Sequence, residues 1–254
     1  MMRVPPRPRL RGVALLAALV PALLQAARPA AAAEPIRAVV ELYTSQGCAV
    51  CAPADQVLGD LARRPGILAL TFPVTYWDYL GWKDTLAQGI FTERQRAYAG
   101  ARGERQVYTP QAVINGAAAA MGSDRTQLER MIREARAVNA LRVPVESEET
   151  GDRIVVTVGG DPDPAAGADV WLIPVLRQRP VTIERGENKG RVVIYANVAR
   201  GLHRLGAWTG QPARFEAPSA AAHVGEADSY VVVVQGSIGS RQGRIWGAAK
   251  GPGL

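Results

Sequence analysis

The chain has 254 residues, 48% of them hydrophobic and 21% charged, with a formal net charge of +7 and two cysteines. That length suits one large domain or two small ones, and two cysteines allow at most one internal disulfide. Five of the cations, Arg3, Arg7, Arg9, Arg11 and Arg28, fall in residues 1–33, which hold no acid. The rest of the chain therefore carries only +2, too little for a nucleic-acid-binding groove.

Residues 1–33 read as a cleaved signal peptide. M-M-R-V-P-P-R-P-R-L-R supplies the basic start, G-V-A-L-L-A-A-L-V-P-A-L-L the apolar run, and Ala31 and Ala33 an A-x-A cleavage site before Glu34. No later stretch is long and apolar enough to span a bilayer. The expected product is exported, periplasmic or secreted, and not membrane-spanning.

The mature chain opens with a β-branched apolar run, Ile36 to Tyr43, expected as a buried strand. T-S-Q-G, Cys48, Ala49, Val50 and Cys51 follow. Ala54, Val57, Leu58 and Leu61 then recur at helical spacing until Pro65-Gly66. Ile67 to Thr75 reads as a second strand, followed by four aromatics, Tyr76, Trp77, Tyr79 and Trp82. A helix is expected over Ile90 to Ala101. V-Y-T-P-Q-A-V-I-N-G then gives a short strand ending in the hairpin signal Asn115-Gly116. Leu128, Met131, Ile132, Ala135 and Val138 form the apolar stripe of a last helix. After Pro144 the texture changes to strands without helices, at 154–158, 170–176, 191–198 and 230–235, while 199–228 has no clear pattern. The expected organisation is a mixed α/β domain over 34–143, a mixed sheet flanked by helices. A small antiparallel β-rich domain of sandwich type follows over 144–254.

Cys48 and Cys51 admit three chemistries. As a static clip, so short a loop contributes only about 2 kcal/mol. As a metal site, the pair offers half a tetrahedral zinc set. The remaining soft ligands, His203 and His223, lie far along the chain, although two thiolates alone would suit monovalent copper. As a redox pair, the position is apt: it follows a buried strand and opens a helix, whose free N–H groups lower a thiol pKa. Cys48 would then be the exposed nucleophile and Cys51 the resolving thiol. Glu41, near the end of the first strand, is a candidate proton acceptor. Asp55 and Asp84 read as helix-capping or dipole-facing acids. D-P-D-P-A-A-G-A-D at 161–169 lacks the closing glutamate of a calcium loop.

C-x-x-C after a strand, a β-α-β unit, and Thr109-Pro110 at the mouth of a later strand together resemble the thioredoxin fold. With Y-W-D-Y-L-G-W-K-D, F-T-E-R-Q-R-A-Y, Y-T-P-Q and I-E-R-G-E-N-K-G-R, the chain is similar to the exported bacterial thioredoxin-like proteins of domain-of-unknown-function family 1223. The resemblance implies thiol–disulfide exchange through Cys48 and Cys51. It also implies a cis Pro110 orienting the client, with the Thr109 backbone beside it pairing with the client. The aromatic cluster with Trp77 and Tyr79 reads from its own residues either as a client-binding rim or as an insertion packing its aromatics onto the domain. Protein thiols or disulfides would be the clients, with an external redox partner and no cofactor or metal. Gly47 replaces the tryptophan that commonly precedes the first cysteine. Pro53 means that the helix either starts after Cys48 or is kinked.

Overall fold

Strand β1 (Ala38–Thr44) passes through a turn into α1 (Ala52–Ala62), and β2 (Ile67–Pro73) returns parallel to β1 with Ala38 opposite Ile67. Parallel neighbours need a crossover, which α1 provides. The aromatic segment, with a 3-10 turn at Asp78–Leu80, leads to α2 (Gly89–Ala101). Strands β3 (Gln111–Ile114) and β4 (Ala118–Met121) pair around Asn115 and Gly116, whose φ values of 48° and 64° are those of a mirror-image hairpin turn. Helix α3 (Arg125–Ala137) begins at Asp124, whose carboxylate accepts the Gln127 N–H. The structure, a computed structural model, describes residues 1–2, 35–161, 167–238 and 241–254. The expected leader, beyond its first two residues, and residues 162–166 of the D-P-D-P loop lie outside the described residues.

The remaining strands are β5 (Val145–Thr150), β6 (Arg153–Val158), β7 (Ala168–Thr182), β8 (Val192–Ala199), β9 (His203–Trp208), β10 (Ala213–Pro218), β11 (Ser229–Ile238) and β12 (Arg241–Lys250). Among the described residues, nine strands form one mixed sheet in the order β12-β11-β7-β8-β2-β1-β3-β4, with β9 also on β7. A separate antiparallel sheet runs β10-β6-β5. The sheet does not divide near residue 143, as the sequence suggested. Strand β8 docks parallel on β2 at Thr71↔Val198, and Glu34–Leu254 form one compact unit. An uncovered β2 would present a row of unpaired backbone groups, and β8 closes that edge.

Alternation along the strands fills three main cores. Ala38, Val40 and Leu42 of β1 face α1 and α3, whereas Val39 and Tyr43 face the opposite side with Leu68, Phe72 and Phe91. In β11, Val231 and Val233 join that second core, while Tyr230, Val232 and Val234 pack with Trp208 and Trp246 beneath the smaller sheet. Burial on both faces accounts for the unbroken Y-V-V-V-V run. Of the expected antiparallel β-rich domain, a separate antiparallel sheet is present, and the core it covers is shared with β7, β11 and β12 of the large sheet. The β12 end of that sheet reaches back to the β3–β4 turn, where the Ile245 N–H donates to the Asn115 carbonyl at 2.9 Å.

Candidate functional site at the Cys48–Cys51 disulfide

The two cysteines form a disulfide, with Cα atoms 5.5 Å apart and each residue 1% exposed. Helix α1 starts after it. Cys51 is the N-cap, and its carbonyl accepts from Ala54 and Asp55 at 2.8 and 3.1 Å. Pro53 falls in the first helical turn, where a missing N–H costs nothing. Of the two arrangements Pro53 allowed, the helix takes the later start and leaves Cys48 in a turn. That turn is closed by the Cys51 N–H on the Cys48 carbonyl at 3.2 Å. The expected exposure of Cys48 is not observed. The spacer is what reaches solvent: Ala49 is exposed, and Val50 is 64% exposed.

The Thr109–Pro110 bond is cis. Pro110 lies against the first turn of α1 through Gly122. A β-carbon on Gly122 would stand 3.2 Å from Ala54 Cβ, 3.3 Å from Pro110 Cβ and 2.5 Å from Leu42 Cδ1, so a side chain there would have to displace Leu42 and crowd both other neighbours. The Gly122 N–H also donates to the Pro110 carbonyl at 2.9 Å. Trp77 links this proline loop to the cysteine loop. Its indole N–H donates to Thr109 Oγ1 at 2.7 Å, and its backbone sits so close to Gly47 that a β-carbon there would be 3.1 Å from Trp77 Cβ. Gly47 is thus the gap into which Trp77 packs. Tyr79, from the same segment, is 78% exposed and engages no neighbour in that bridge. Trp77 thus joins the Thr109–Pro110 loop to the Cys48–Cys51 turn, and Tyr79 is exposed on the same segment as Trp77.

Glu41 does not join them. It is fully buried with Val39 and Tyr43 on the sheet face opposite α1, where Arg94 Nη2 and Nε donate to Oε1 at 2.7 and 3.1 Å. Arg94 also donates to the Tyr98 hydroxyl at 3.0 Å and lies over the Phe72 and Tyr98 rings. Glu41 as a proton acceptor for the cysteines is therefore a correction: strand alternation sends it to the wrong face. The buried acid on the cysteine side is Asp55, 3% exposed, one helical turn beyond Cys51, with no hydrogen-bond partner at Oδ1. Burial pushes its carboxyl well above the ordinary range; the Thr44 hydroxyl opposes the rise and Asp84 adds to it. Asp84 is raised too, chiefly by burial, against three backbone N–H bonds from Gln46, Leu86 and Ala87.

The profile of the family described as a protein of unknown function, DUF1223, matches residues 39–235. The chain belongs to this family. No curated protein matches it. Solved structures similar to this DUF1223 chain include the following two. Protein AGR_C_4864 from Agrobacterium tumefaciens superposes with a TM-score of 0.77 at 32% identity, over 87% of this chain and 96% of that one. HBP35 of Porphyromonas gingivalis gives a TM-score of 0.56 at 10% identity, over 85% of this chain and 75% of that one, a likeness of fold.

Sequence reasoning missed two side chains that hold the cysteine turn of this DUF1223 chain. Asn188, 3% exposed in the loop between β7 and β8, donates its amide to the carbonyls of Gln46 and Cys48 at 2.8 and 2.9 Å. By its charge and its bounding glycines, the G-E-N-K-G-R stretch reads from sequence as a turn or a recognition loop. Its glycines do mark the turns, at φ 74° for Gly186 and 83° for Gly190, but no signal tied it to residues so distant in sequence. Gln46 is the other omission. Its N–H goes to Asp84, its side-chain amide to Thr85 Oγ1, and its side-chain oxygen accepts from the Trp82 indole at 2.7 Å. His223 contacts Glu149 at 3.3 Å, and no cluster of three or more potential metal ligands occurs among the described residues. No helix among them is long and apolar enough to cross a membrane.

Proposed function

We propose that this chain is an exported thioredoxin-like protein whose Cys48–Cys51 pair exchanges disulfides with protein clients, an external redox protein restoring its working state. The observation that carries the reading is a formed disulfide on the turn before α1, with Pro110 against the same helix turn and the Ala49-Val50 spacer facing solvent. Exposed Val50 in the spacer, with Tyr79 and the 38% exposed Tyr108 on the segments that carry Trp77 and Thr109, would supply an apolar rim suited to an unfolded or extended polypeptide. The basic, apolar and small-residue succession of residues 1–33 supports delivery to an oxidising compartment.

In the oxidising direction a client thiolate attacks Cys48 Sγ. The Cys48–Cys51 bond breaks and its electron pair leaves on Cys51 Sγ, which takes up a proton. A second client thiolate attacks the client sulfur of the mixed disulfide and releases Cys48. The client loses two electrons and the pair gains them; the reverse sequence reduces a client. Asp55, buried one helical turn beyond Cys51 with its carboxyl pushed up by burial, is the group assigned in this reading to exchange the Cys51 proton.

Burial of both cysteines favours a second reading, in which the disulfide is static and the rim binds a partner. Cys51→Ser, expressed with its leader in an exporting bacterium, separates the two. Exchange predicts mixed disulfides through Cys48, seen on non-reducing gels and lost in the double serine variant. A folded, exported Cys51→Ser protein that captures nothing selects the static reading.

A further inference from the structure

The loop from Ile183 to Arg191 is built to hold the cysteine turn. It is braced internally by Ile183 N–H on the Arg191 carbonyl at 2.9 Å, Gly190 N–H on the Ile183 carbonyl at 2.7 Å and Arg191 N–H on the Asn188 carbonyl at 3.0 Å. It is seated on the aromatic segment, where a β-carbon on Gly186 would touch Trp82 Cβ at 3.4 Å. From this base Asn188 reaches the Gln46 and Cys48 carbonyls, and Arg191 Nη1 reaches the Ala49 carbonyl at 3.3 Å. The Cys48 carbonyl is the acceptor of the bond that closes the Cys48–Cys51 turn, so Asn188 and the Cys51 N–H share one oxygen. On the far side Asp84, Thr85 and Trp82 pin Gln46. None of these anchors involves sulfur, so each can persist when the S–S bond is cut.

We infer that Asn188 is a positioning residue that sets the oxidation equilibrium of the Cys48–Cys51 pair. It keeps the turn closed in the dithiol, holds one sulfur at the other, and so favours the disulfide. A thiol kept beside its partner reacts at a high effective concentration. A turn left free to open in the reduced protein gains conformational entropy, which disfavours closure. The strap thus belongs to the C-terminal half of the chain and acts on chemistry encoded in the N-terminal half. The inference deepens the exchange reading and shares its premise that both redox states form in the folded protein.

The test equilibrates purified protein with glutathione buffers, approached from the oxidised protein and from protein reduced and refolded in dithiothreitol. Glutathione disulfide gives up its S–S bond, Cys48–Cys51 gains one, and the two protein thiol protons pass to the two glutathione thiolates. Asn188→Ala should lower the equilibrium constant for oxidation about tenfold, about 30 mV toward a more oxidising pair. Asn188→Asp, equal in size but with no donor for the two carbonyls, should lower it at least as far. The gap in melting temperature between oxidised and reduced protein should narrow in both variants. Equilibrium constants within twofold of the parent would overturn the inference. So would equal losses of melting temperature in both redox states, including failure of both variants to fold, which would make Asn188 merely structural. A shifted equilibrium with an empty Cys51→Ser trap removes client exchange and leaves the role of Asn188 standing. A productive trap with an unmoved equilibrium does the reverse.

Discussion

Asp55 and Glu41 show how differently two buried acids behave. Glu41 has Arg94 in hydrogen-bonding contact, a pair whose disruption costs about 3–5 kcal/mol, so its role is to hold the core. Asp55 has no cation partner among the described residues and keeps one oxygen unpaired, which is a stability cost retained beside a disulfide. Its folded-state pKa lies above the unfolded value, so the sign of its pH dependence is fixed. Below the ordinary aspartate value of 3.8 the group is protonated in both states and contributes nothing. As pH rises past that value the unfolded chain releases the proton first, and the native state loses stability until its own carboxyl ionises. Asp55→Asn should therefore match the parent near pH 3 and be more stable at pH 7, as measured by urea unfolding across that range. Asp84, raised in the same direction, contributes a slope of the same sign that the variant keeps. A variant less stable than its parent at neutral pH would show that the carboxylate is stabilised in the fold after all.

At the scale of elements, the seam between β2 and β8 decides the architecture, and side chains hold much of it. The backbone register between the two strands is short, Thr71 opposite Val198. Thr71 Oγ1 donates to the Ala196 carbonyl at 2.6 Å, and Asn197 Nδ2 donates to the Ala69 carbonyl at 2.9 Å. Asn197 makes that reach from φ +48°, a conformation asparagine tolerates better than most residues. Asn197→Gly keeps the backbone and removes the bond, leaving a buried carbonyl unpaired; it should cost about 1–3 kcal/mol in chemical denaturation. Asn197→Ala should be no more stable than the glycine variant, because the left-handed backbone then strains a β-carbon by about 1–2 kcal/mol. This seam also marks where the sequence stops being readable. The period-2 and period-3.6 patterns located β1, α1, β2, α2, β3 and α3, because each buries a defined face near its chain neighbours. The partner of β2 lies more than a hundred residues away, and R-V-V-I-Y-A-N-V carries no sign of which edge it will cover. Strands β5, β9 and β10 escaped notice for a related reason: they carry few large apolar residues of their own, β5 and β10 finding a core only where the small sheet meets the large one and β9 only against β7.

For the molecule as a whole, the question is whether the N-terminal α/β part can fold without the strands that follow. Its own sequence makes it look complete, since α1 and α3 cover one face of β1 and β2. The other face has no such independence. Val39, Tyr43, Leu68, Leu70 and Phe72 share one continuous core with Ile173 and Val175 of β7, Val231 and Val233 of β11, and Ile245 of β12. Polar links cross the same boundary: Gln235 Nε2 donates to the Tyr98 hydroxyl at 2.6 Å, and the Val143 N–H donates to the Trp246 carbonyl at 2.9 Å. A fragment ending at residue 143 would lose these apolar partners, expose the β2 edge and leave the Asn115 carbonyl without the Ile245 N–H. It would also lose Asn188 from the Cys48 carbonyl, so its disulfide would be both looser and more open to thiols. Buried apolar side chains contribute about 1.5–3 kcal/mol each, and a domain's whole margin is about 5–15 kcal/mol. Losing several such partners exceeds that margin. Residues 34–254 should therefore unfold in a single transition, with tryptophan fluorescence and far-ultraviolet circular dichroism superimposing along a urea titration. The 34–143 fragment should lack a cooperative transition and bind hydrophobic dyes. A fragment that melts cooperatively with a native-like spectrum would establish two autonomous domains and reduce the β2–β8 seam to a docking contact.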